Sequence, residues 1–123
     1  MKNFEILRLY DALEAISGED SKELSIQAKF KMAKNKMKLT ELRNVIMDQR
    51  ASIITKYGET QEDGSIKVPT SKYDITSHEI DQLLEIETQC DVEKLTLNEL
   101  EGARIDVDTM MKLMPMIEET HDQ

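Results

Sequence analysis

Apolar residues recur at steps of three and four along the first half of the chain, and this spacing predicts amphipathic helices. In the first stretch, residues 4–16, the apolar positions include Ile6, Leu7, Tyr10 and Leu13. A Ser-Gly pair at positions 17 and 18 then ends the segment. We therefore expect a helix of three to four turns, followed by a short connection to a neighbouring helix.

The second stretch, residues 20–57, predicts one long helix because it contains neither proline nor glycine. Asp20 with Glu23 forms the pattern of an N-terminal capping box, and Gly58 follows the last helical residue. About 37 residues would make a rod of about 55 Å, whereas a compact domain of this size is only about 30 Å across. We expect this helix to overhang its own domain or to lean on another chain.

The best apolar stripe of this helix lies in its second half. It consists of Leu39, Leu42, Ile46 and Ile53. Steps of three, four and seven resemble a heptad pattern, which is interrupted at Gln49 and Arg50. The pattern favours a helical hairpin or a small bundle over a free-standing coiled coil. The helix that covers this stripe would come from this chain or from a copy of it.

Residues 58–76 break the helical pattern and predict a turn-rich connector. Asp63-Gly64 is a turn dipeptide, and the alternating residues 65–68 predict a short strand that ends at Pro69. A second short strand is indicated at residues 91–95, and the two strands could pair. The connector would therefore contribute a minor two-stranded β element to a mainly α fold.

Three capping signals follow in the acidic second half, residues 77–119. Thr76 with Glu79 and Thr96 with Glu99 are capping boxes, and Asp106 is a single N-cap. These signals predict helices at about 77–89, 97–103 and 107–119, with a kink or an end at a proline, residue 115. The predicted architecture is one helical domain over residues 1–123, built on the long helix as a hairpin or small bundle.

Charge divides the chain into two unlike parts. The net charge of −9 comes from residues 1–57, with 11 basic against 8 acidic residues, and residues 58–123, with 5 against 17. The acidic part could face a basic surface, either its own long helix or a nucleic-acid-binding protein. The candidate acidic-surface residues are Glu85, Asp91, Glu93, Glu99, Glu101, Asp106 and Asp108.

Two other clusters could form binding surfaces. Five lysines between Lys29 and Lys38 could contact phosphate. A helix spreads them around its axis, however, so a solvated segment or one paired with the acidic half of the chain is favoured. Methionine is adaptable at binding surfaces, but it also fills cores. The partner-binding candidates are Leu39, Leu42, Ile46 and Ile53 together with Met110, Met111 and Met114.

The sequence carries no pattern typical of an enzyme. A lone cysteine, Cys90, and two separated histidines, His78 and His121, give no metal-ligand spacing, and no phosphate loop or nucleophile elbow occurs. We therefore expect a non-enzymatic protein without cofactor or metal. The single cysteine favours a reducing compartment, and no apolar run is long enough to span a membrane, so we expect the cytoplasm.

The order of these segments resembles small helical proteins of unknown function encoded by tailed bacteriophages and prophages. The resemblance spans most of the chain and is carried by Ala12-Leu13, Ile16-Ser17-Gly18, Glu41-Leu42-Arg43, Ile54, Tyr57-Gly58, Asp63-Gly64, Glu79-Ile80, Leu83-Leu84, Glu87, Leu95 and Glu99-Leu100. It implies a phage-encoded accessory protein that acts on other proteins in the bacterial cytoplasm, with no family active site.

Three functions compete on these grounds. The leading hypothesis is a protein–protein interaction module that self-associates or docks on a host or phage protein. The second is an acidic inhibitor of a nucleic-acid-handling host defence protein, of the anti-restriction or anti-CRISPR type, which would mimic nucleic acid. The third is direct nucleic-acid binding through the Lys29–Lys38 segment, which ranks last because the net negative charge of the molecule repels nucleic acid.

Overall fold

The computed structural model describes residues 1–118, and this part of the chain is mainly helical. Its elements are α1 (Asn3–Ala15), α2 (Ile26–Tyr57), β1 (Glu59–Thr60), β2 (Ile66–Lys67), α3 (Tyr73–Glu85) and α4 (Val107–Leu113). Short 3₁₀ turns occupy Thr70–Lys72, Asn98–Leu100 and Met114–Met116. The mainly α fold class with one long helix and a small two-stranded element is confirmed.

Helix α2 pairs with two shorter helices that lie end to end along it. Helix α1 runs antiparallel to α2, since Glu14 near its end pairs with Lys36 at 3.3 Å. Tyr10, one turn earlier in α1, lies against Arg43, two turns later in α2.

Helix α3 is antiparallel as well, because Glu79 pairs with Lys56 at 3.2 Å near the end of α2, whereas the end of α3 lies at the start of α1. The start of α1 meets the end of α3, where the Asn3 side chain donates to the Leu83 carbonyl oxygen at 2.8 Å. The second arm of the helical hairpin is therefore built from α3 and α1, and the chain itself covers α2.

The long helix begins six residues later than the sequence indicates, at Ile26 instead of residue 20. Asp20 does not cap it: its carboxylate accepts from the Ser17 backbone N–H at 3.2 Å, and its own N–H donates to the Ser17 hydroxyl at 3.0 Å. This reciprocal pair closes a turn. Ser25 is the actual N-cap, since its hydroxyl accepts from the Ala28 N–H at 3.1 Å.

The two-stranded element is a local hairpin within the connector. Strand β2 pairs antiparallel with β1, with Glu59 opposite Lys67 and Thr60 opposite Ile66. The turn uses Gly64 at φ 85°, a left-handed conformation that glycine adopts readily. The pairing of residues 65–68 with residues 91–95 is therefore wrong, since Leu95 forms a parallel bridge with Ile117 instead.

Helix α3 begins at Tyr73 and ends at Glu85, four residues earlier at each end than the prediction of 77–89. Thr76 does not cap it. A 3₁₀ turn at residues 70–72 leads directly into the helix, and the Thr76 hydroxyl donates to the Lys72 carbonyl oxygen one turn back at 2.7 Å. Glu79 instead reaches across to Lys56. A threonine followed by glutamate resembles a capping box, but here the helix was already under way.

The other two capping signals form as predicted, although the helices after them are shorter. The Thr96 N–H donates to the Glu99 carboxylate at 3.1 Å and the Glu99 N–H donates to the Thr96 hydroxyl at 3.2 Å, but only a 3₁₀ turn follows. Asp106 caps α4 by accepting from the Thr109 N–H at 2.7 Å. Helix α4 stops at Leu113 and a 3₁₀ turn contains Pro115, so the end expected at the proline is confirmed.

The core joins both halves of the chain in a single apolar cluster. Its buried members are Ile6, Leu9, Ala12, Leu13, Leu24, Ala28, Leu39, Ile46, Leu83, Leu95, Leu100, Leu113, Met116 and Ile117. Leu95, Leu113 and Met116 are completely buried, so the segment after α3 is an integral part of the fold and not an acidic appendage.

Candidate interaction surfaces

The acidic segment at residues 91–99, named here the strap, lies along the lysine-rich half of α2. Lys31 forms an ion pair with Glu99 at 3.0 Å, and Lys34 pairs with Glu93 at 2.8 Å. Lys38 donates to the backbone carbonyl oxygen of Asp91 at 2.7 Å. The expected pairing of lysines with the acidic half is confirmed, and it runs antiparallel to α2.

Asn35 anchors the strap between these lysines. Its side chain is completely buried and donates to the Glu93 carbonyl oxygen at 2.9 Å, while its own oxygen accepts from the Glu93 N–H at 2.7 Å. This double hydrogen bond satisfies both backbone groups of one residue in the way a neighbouring strand would. Asn35 therefore sets the register of the strap on α2.

Local contacts lower the pKa values of the Glu93 and Glu99 carboxyl groups of the strap. For Glu93 the main cause is the hydrogen bond from Lys34. For Glu99 the Thr96 backbone N–H contributes most, followed by the hydrogen bond from Lys31. Both carboxyl groups are therefore held in the charged form that the lysines require.

The two remaining lysines of the segment also contact the chain. Lys36 pairs with Glu14 at 3.3 Å, and the Lys29 ammonium donates to the Lys22 carbonyl oxygen at 3.1 Å. Phosphate binding through residues 29–38 would have to compete with these intramolecular partners. This arrangement weakens the hypothesis of direct nucleic-acid binding, and it follows from the helical spread of the five lysines around α2.

Most of the acidic-surface candidates are engaged within the molecule. Glu85 pairs with Lys2 at 2.7 Å and Asp108 pairs with Lys112 at 3.3 Å. The Asp91 carboxylate accepts from Gln89 at 3.1 Å. Glu93 and Glu99 hold the strap, and Asp106 caps α4. Glu101 is exposed, and it takes part in none of the side-chain hydrogen bonds or ion pairs found within residues 1–118.

The apolar partner-binding candidates of α2 face inward. Leu39 and Ile46 are buried in the core, and Leu42 and Ile53 are half-buried against it. They lie on the side of α2 that α1 and α3 cover. The stripe that the sequence offers as a docking surface is thus used by the chain to hold its own hairpin together.

The methionine candidates divide between core and surface. Met116 is fully buried and Met110 is half-buried against the core, whereas Met111 is 67% exposed and Met114 is 49% exposed. Val107 lies one turn before Met111 on the same side of α4 and is also exposed. We name Val107, Met111 and Met114 the α4 stripe. Met111 and Met114 are thus the partner-binding candidates of this group that lie at the surface.

Beside this stripe, α1 and α4 enclose a groove of about 230 Å³. The lining residues are Glu5, Arg8, Asp108, Met111, Lys112 and Pro115. They combine two apolar side chains with charges of both signs. Because Met111 belongs to both the groove and the α4 stripe, the groove extends this stripe.

A second exposed apolar stripe, absent from the sequence-based candidates, lies on the far side of α2 from the core. It consists of Ile26, Phe30, Ala33 and Met37, which we name the outer stripe. Phe30 is 63% exposed and Met37 is 72% exposed. Steps of four, three and four place the residues on one helical face. This spacing is visible in the sequence, although the stripe from residue 39 onward is longer and more apolar.

Comparisons with known proteins add no relative to this picture: no protein-family model matches the chain, and no curated protein or solved structure matches it. Within residues 1–118 no group of three or more histidine, cysteine, aspartate or glutamate side chains is placed to hold a metal ion. In the same residues no helix is both long and apolar enough to cross a membrane.

Proposed function

We propose that this protein is a non-enzymatic accessory protein that acts by docking on another protein, either a copy of itself or a host or phage protein. The observation that carries the proposal is the pair of exposed apolar stripes on otherwise well-packed helices. A folded chain gains nothing from leaving Phe30, Met37 and Met111 in water, and apolar patches of this kind mark interaction sites.

The α4 stripe is the better candidate for the primary contact. Its methionines are flexible and polarizable, so they adapt to a partner surface, and the adjoining groove offers a concave site lined by charges of both signs. Helix α4 is also held rigidly, because Asp106 caps its start and Leu113 anchors its end in the core. A rigid support lowers the entropic cost of binding.

The origin and compartment belong to the same proposal. The order of segments resembles small helical proteins of phages and prophages, and this resemblance supports a phage-encoded protein that works in the bacterial cytoplasm. It stays a prediction. Its direct test is the set of genes that adjoin the coding sequence, since a run of phage structural or lysis genes would support it.

A capture experiment tests the docking function. The tagged wild-type chain is immobilised, exposed to bacterial lysate, and compared with the double variant Met111→Gln, Met114→Gln, which keeps the size of both side chains but removes their apolar character. We expect a defined protein to be retained by the wild type and lost with the double variant. The matched control is Gln82→Glu, an exposed change on α3 that should keep the partner.

The docking function is rejected if the wild type retains nothing and does not associate with itself. If the double variant retains the same protein as strongly as the wild type, the function stands but the assignment of the contact to the α4 stripe is rejected. Circular dichroism of each variant confirms that the helical fold is kept, since Met111 and Met114 lie outside the core.

Inhibition of a nucleic-acid-handling protein by an acidic mimic ranks second. Six of the seven acidic candidates are engaged in ion pairs, hydrogen bonds or the helix cap, which reduces the charge they can offer to a partner. A mimic would bind a basic protein, compete with DNA and release at about 0.5 M salt, where screening is strong. Binding that survives such salt would exclude the mimic.

A further inference from the structure

The two exposed stripes share one spacing and lie on different elements of the fold. The outer stripe advances by four, three and four residues, and the α4 stripe advances by four and three. Helix α4 packs on α1, and α1 packs on the inner face of α2. The outer stripe faces away from α1, so the two stripes are separate exposed surfaces.

The segments that carry the stripes differ in net charge. Residues 26–40 contain five lysines and no acidic residue. Three of these lysines pair with glutamates, whereas Lys29 and Lys38 form hydrogen bonds only with carbonyl oxygens. Residues 100–118 contain four acidic residues against Arg104 and Lys112. Asp108, next to the α4 stripe, pairs with Lys112 at 3.3 Å and is 80% exposed.

A contact between two identical stripes is electrostatically unfavourable because it brings like charges together. A two-fold contact of the outer stripe with itself would bring Lys29 and the neighbouring lysines of two copies together. A two-fold contact of the α4 stripe would bring two segments of net negative charge together. A contact between unlike stripes buries the same kind of apolar surface and sets lysines against carboxylates, so electrostatic complementarity favours it.

We propose that the α4 stripe of one copy packs on the outer stripe of a second copy. This inference rests on the proposed docking function and names a second copy of the chain as a partner. The contact is heterologous, because each copy contributes a different surface. Each copy keeps one free stripe, so association continues into an open row or closes into a ring.

Two variants test the pairing by complementation. Phe30→Gln with Met37→Gln removes the outer stripe and keeps α4, while Met111→Gln with Met114→Gln does the reverse. All four side chains are exposed and glutamine favours helix, so both variants should fold like the wild type. Size-exclusion chromatography with light scattering measures mass up to about 0.5 mM, where a contact with a Kd of about 0.1 mM is well populated.

We expect the wild type to form species larger than a dimer as concentration rises, and each variant to stay a monomer. An equimolar mixture should form a one-to-one dimer and nothing larger, because only one intact α4 stripe and one intact outer stripe remain. The dimer should weaken as salt is added, since lysines and carboxylates face each other across the contact.

Three results would overturn the inference: a wild-type chain that stays monomeric at the highest concentration, a wild-type association that both variants retain, and variants whose mixture stays monomeric. None of them decides the docking function itself. Retention of a partner from lysate by the wild type and its loss with the α4 variant would still support that function, so the two failures are distinguishable.

Discussion

Helix α2 has an inner face with Ala28, Leu39 and Ile46 and an outer face with Ile26, Phe30 and Met37. Both faces recur at helical spacing and both are apolar, yet the first is buried and the second lies in water. The difference comes from the rest of the chain. Helices α1 and α3 lie end to end along the inner face, and no element within residues 1–118 buries the outer one.

An apolar stripe on a long helix can be covered by shorter helices of the same chain, so it does not by itself indicate a docking surface. The stronger stripe, from Leu39 onward, suggests a docking surface when the helix is judged alone, because the helix exceeds the diameter of a small domain. Two shorter helices of 13 residues each, placed end to end, cover most of the 32 residues of α2, so the length of α2 does not require a partner. The weaker stripe, on the outer face, is the one that stays exposed to solvent.

Leu39→Ala is the strongest test of the inner face. The side chain is completely buried, so its removal leaves a cavity between α2 and its covering helices, and we expect a loss of about 3 kcal/mol in the free energy of unfolding. Urea unfolding followed by circular dichroism measures the change. The matched control is Met37→Ala on the outer face, with an expected change within about 0.5 kcal/mol.

The contrast between the two faces is contradicted if Leu39→Ala and Met37→Ala lower the free energy of unfolding by the same amount. Equal large losses would mean that Met37 is covered in solution, as it would be in an associated form, and dilution should then reduce its cost. Equal small losses would mean that Leu39 is not in a packed core. The ratio of the two costs is therefore a direct measure of which face the chain uses for folding.

Asn35→Ala should have the next largest effect. The substitution leaves the N–H and the carbonyl oxygen of Glu93 without their partner in a buried setting, and we expect a loss of about 2 kcal/mol. Asn44→Ala, at an exposed position of the same helix, is the control and should change stability by less than about 0.5 kcal/mol. A small effect at Asn35 would show that the strap does not depend on it for its register.

The sequence contained much of the local structure but little of the tertiary arrangement. The first helix, the hairpin turn at Gly64, the cap at Asp106 and the end at Pro115 are local events, because the residues involved lie within four positions of each other. The start of α2 differs from the prediction because an aspartate such as Asp20 can cap either a helix or a turn. Which of the two it caps depends on which backbone N–H groups the rest of the fold leaves without a hydrogen-bond partner.

The strap could not be predicted because its partners lie far away along the chain. Glu93 meets Asn35 and Lys34, and Leu95 meets Ile117, through contacts that no short window contains. Only the opposite charges of the two halves indicated that they would meet. The partner-binding candidates differ in exposure: Met111 and Met114 lie in solvent, whereas Leu39 and Ile46 are buried in the core.

Measuring the stability of the folded chain as a function of pH tests the ion pairs between the strap and α2. The pKa values of Glu93 and Glu99 are lowered in the folded chain, so their contribution is fully present above the unfolded-state pKa of about 4.5. It is lost as pH falls through the folded-state pKa. We expect stability to decline below about pH 4.5, and Glu93→Gln should make that decline shallower. Thermal unfolding at pH 7 and pH 3 measures the difference.

Glu101→Gln is the control for this titration. Glu101 is exposed, and no side-chain hydrogen bond or ion pair involves it among residues 1–118. The substitution should therefore leave the difference between pH 7 and pH 3 unchanged. If Glu93→Gln and Glu101→Gln behave alike, the contact between Lys34 and Glu93 contributes no pH-dependent stability. The Asn35 hydrogen bonds and the burial of Leu95 would then be the main contacts that hold this part of the strap on α2.

Phe30→Ala should have the smallest effect on folding and a large one on association. The ring is mostly exposed, and its main intramolecular contact is with the Lys34 ammonium at 5.6 Å, which is worth about 0.5 kcal/mol at a solvated site. A monomer at low concentration should therefore unfold at nearly the wild-type urea midpoint. The same substitution should weaken self-association in light scattering, because it removes the largest side chain of the outer stripe. A ring that mattered for folding but not for association would reverse the assignment of the two faces of α2: the outer face would then belong to the core, and the exposed surface would have to be sought elsewhere.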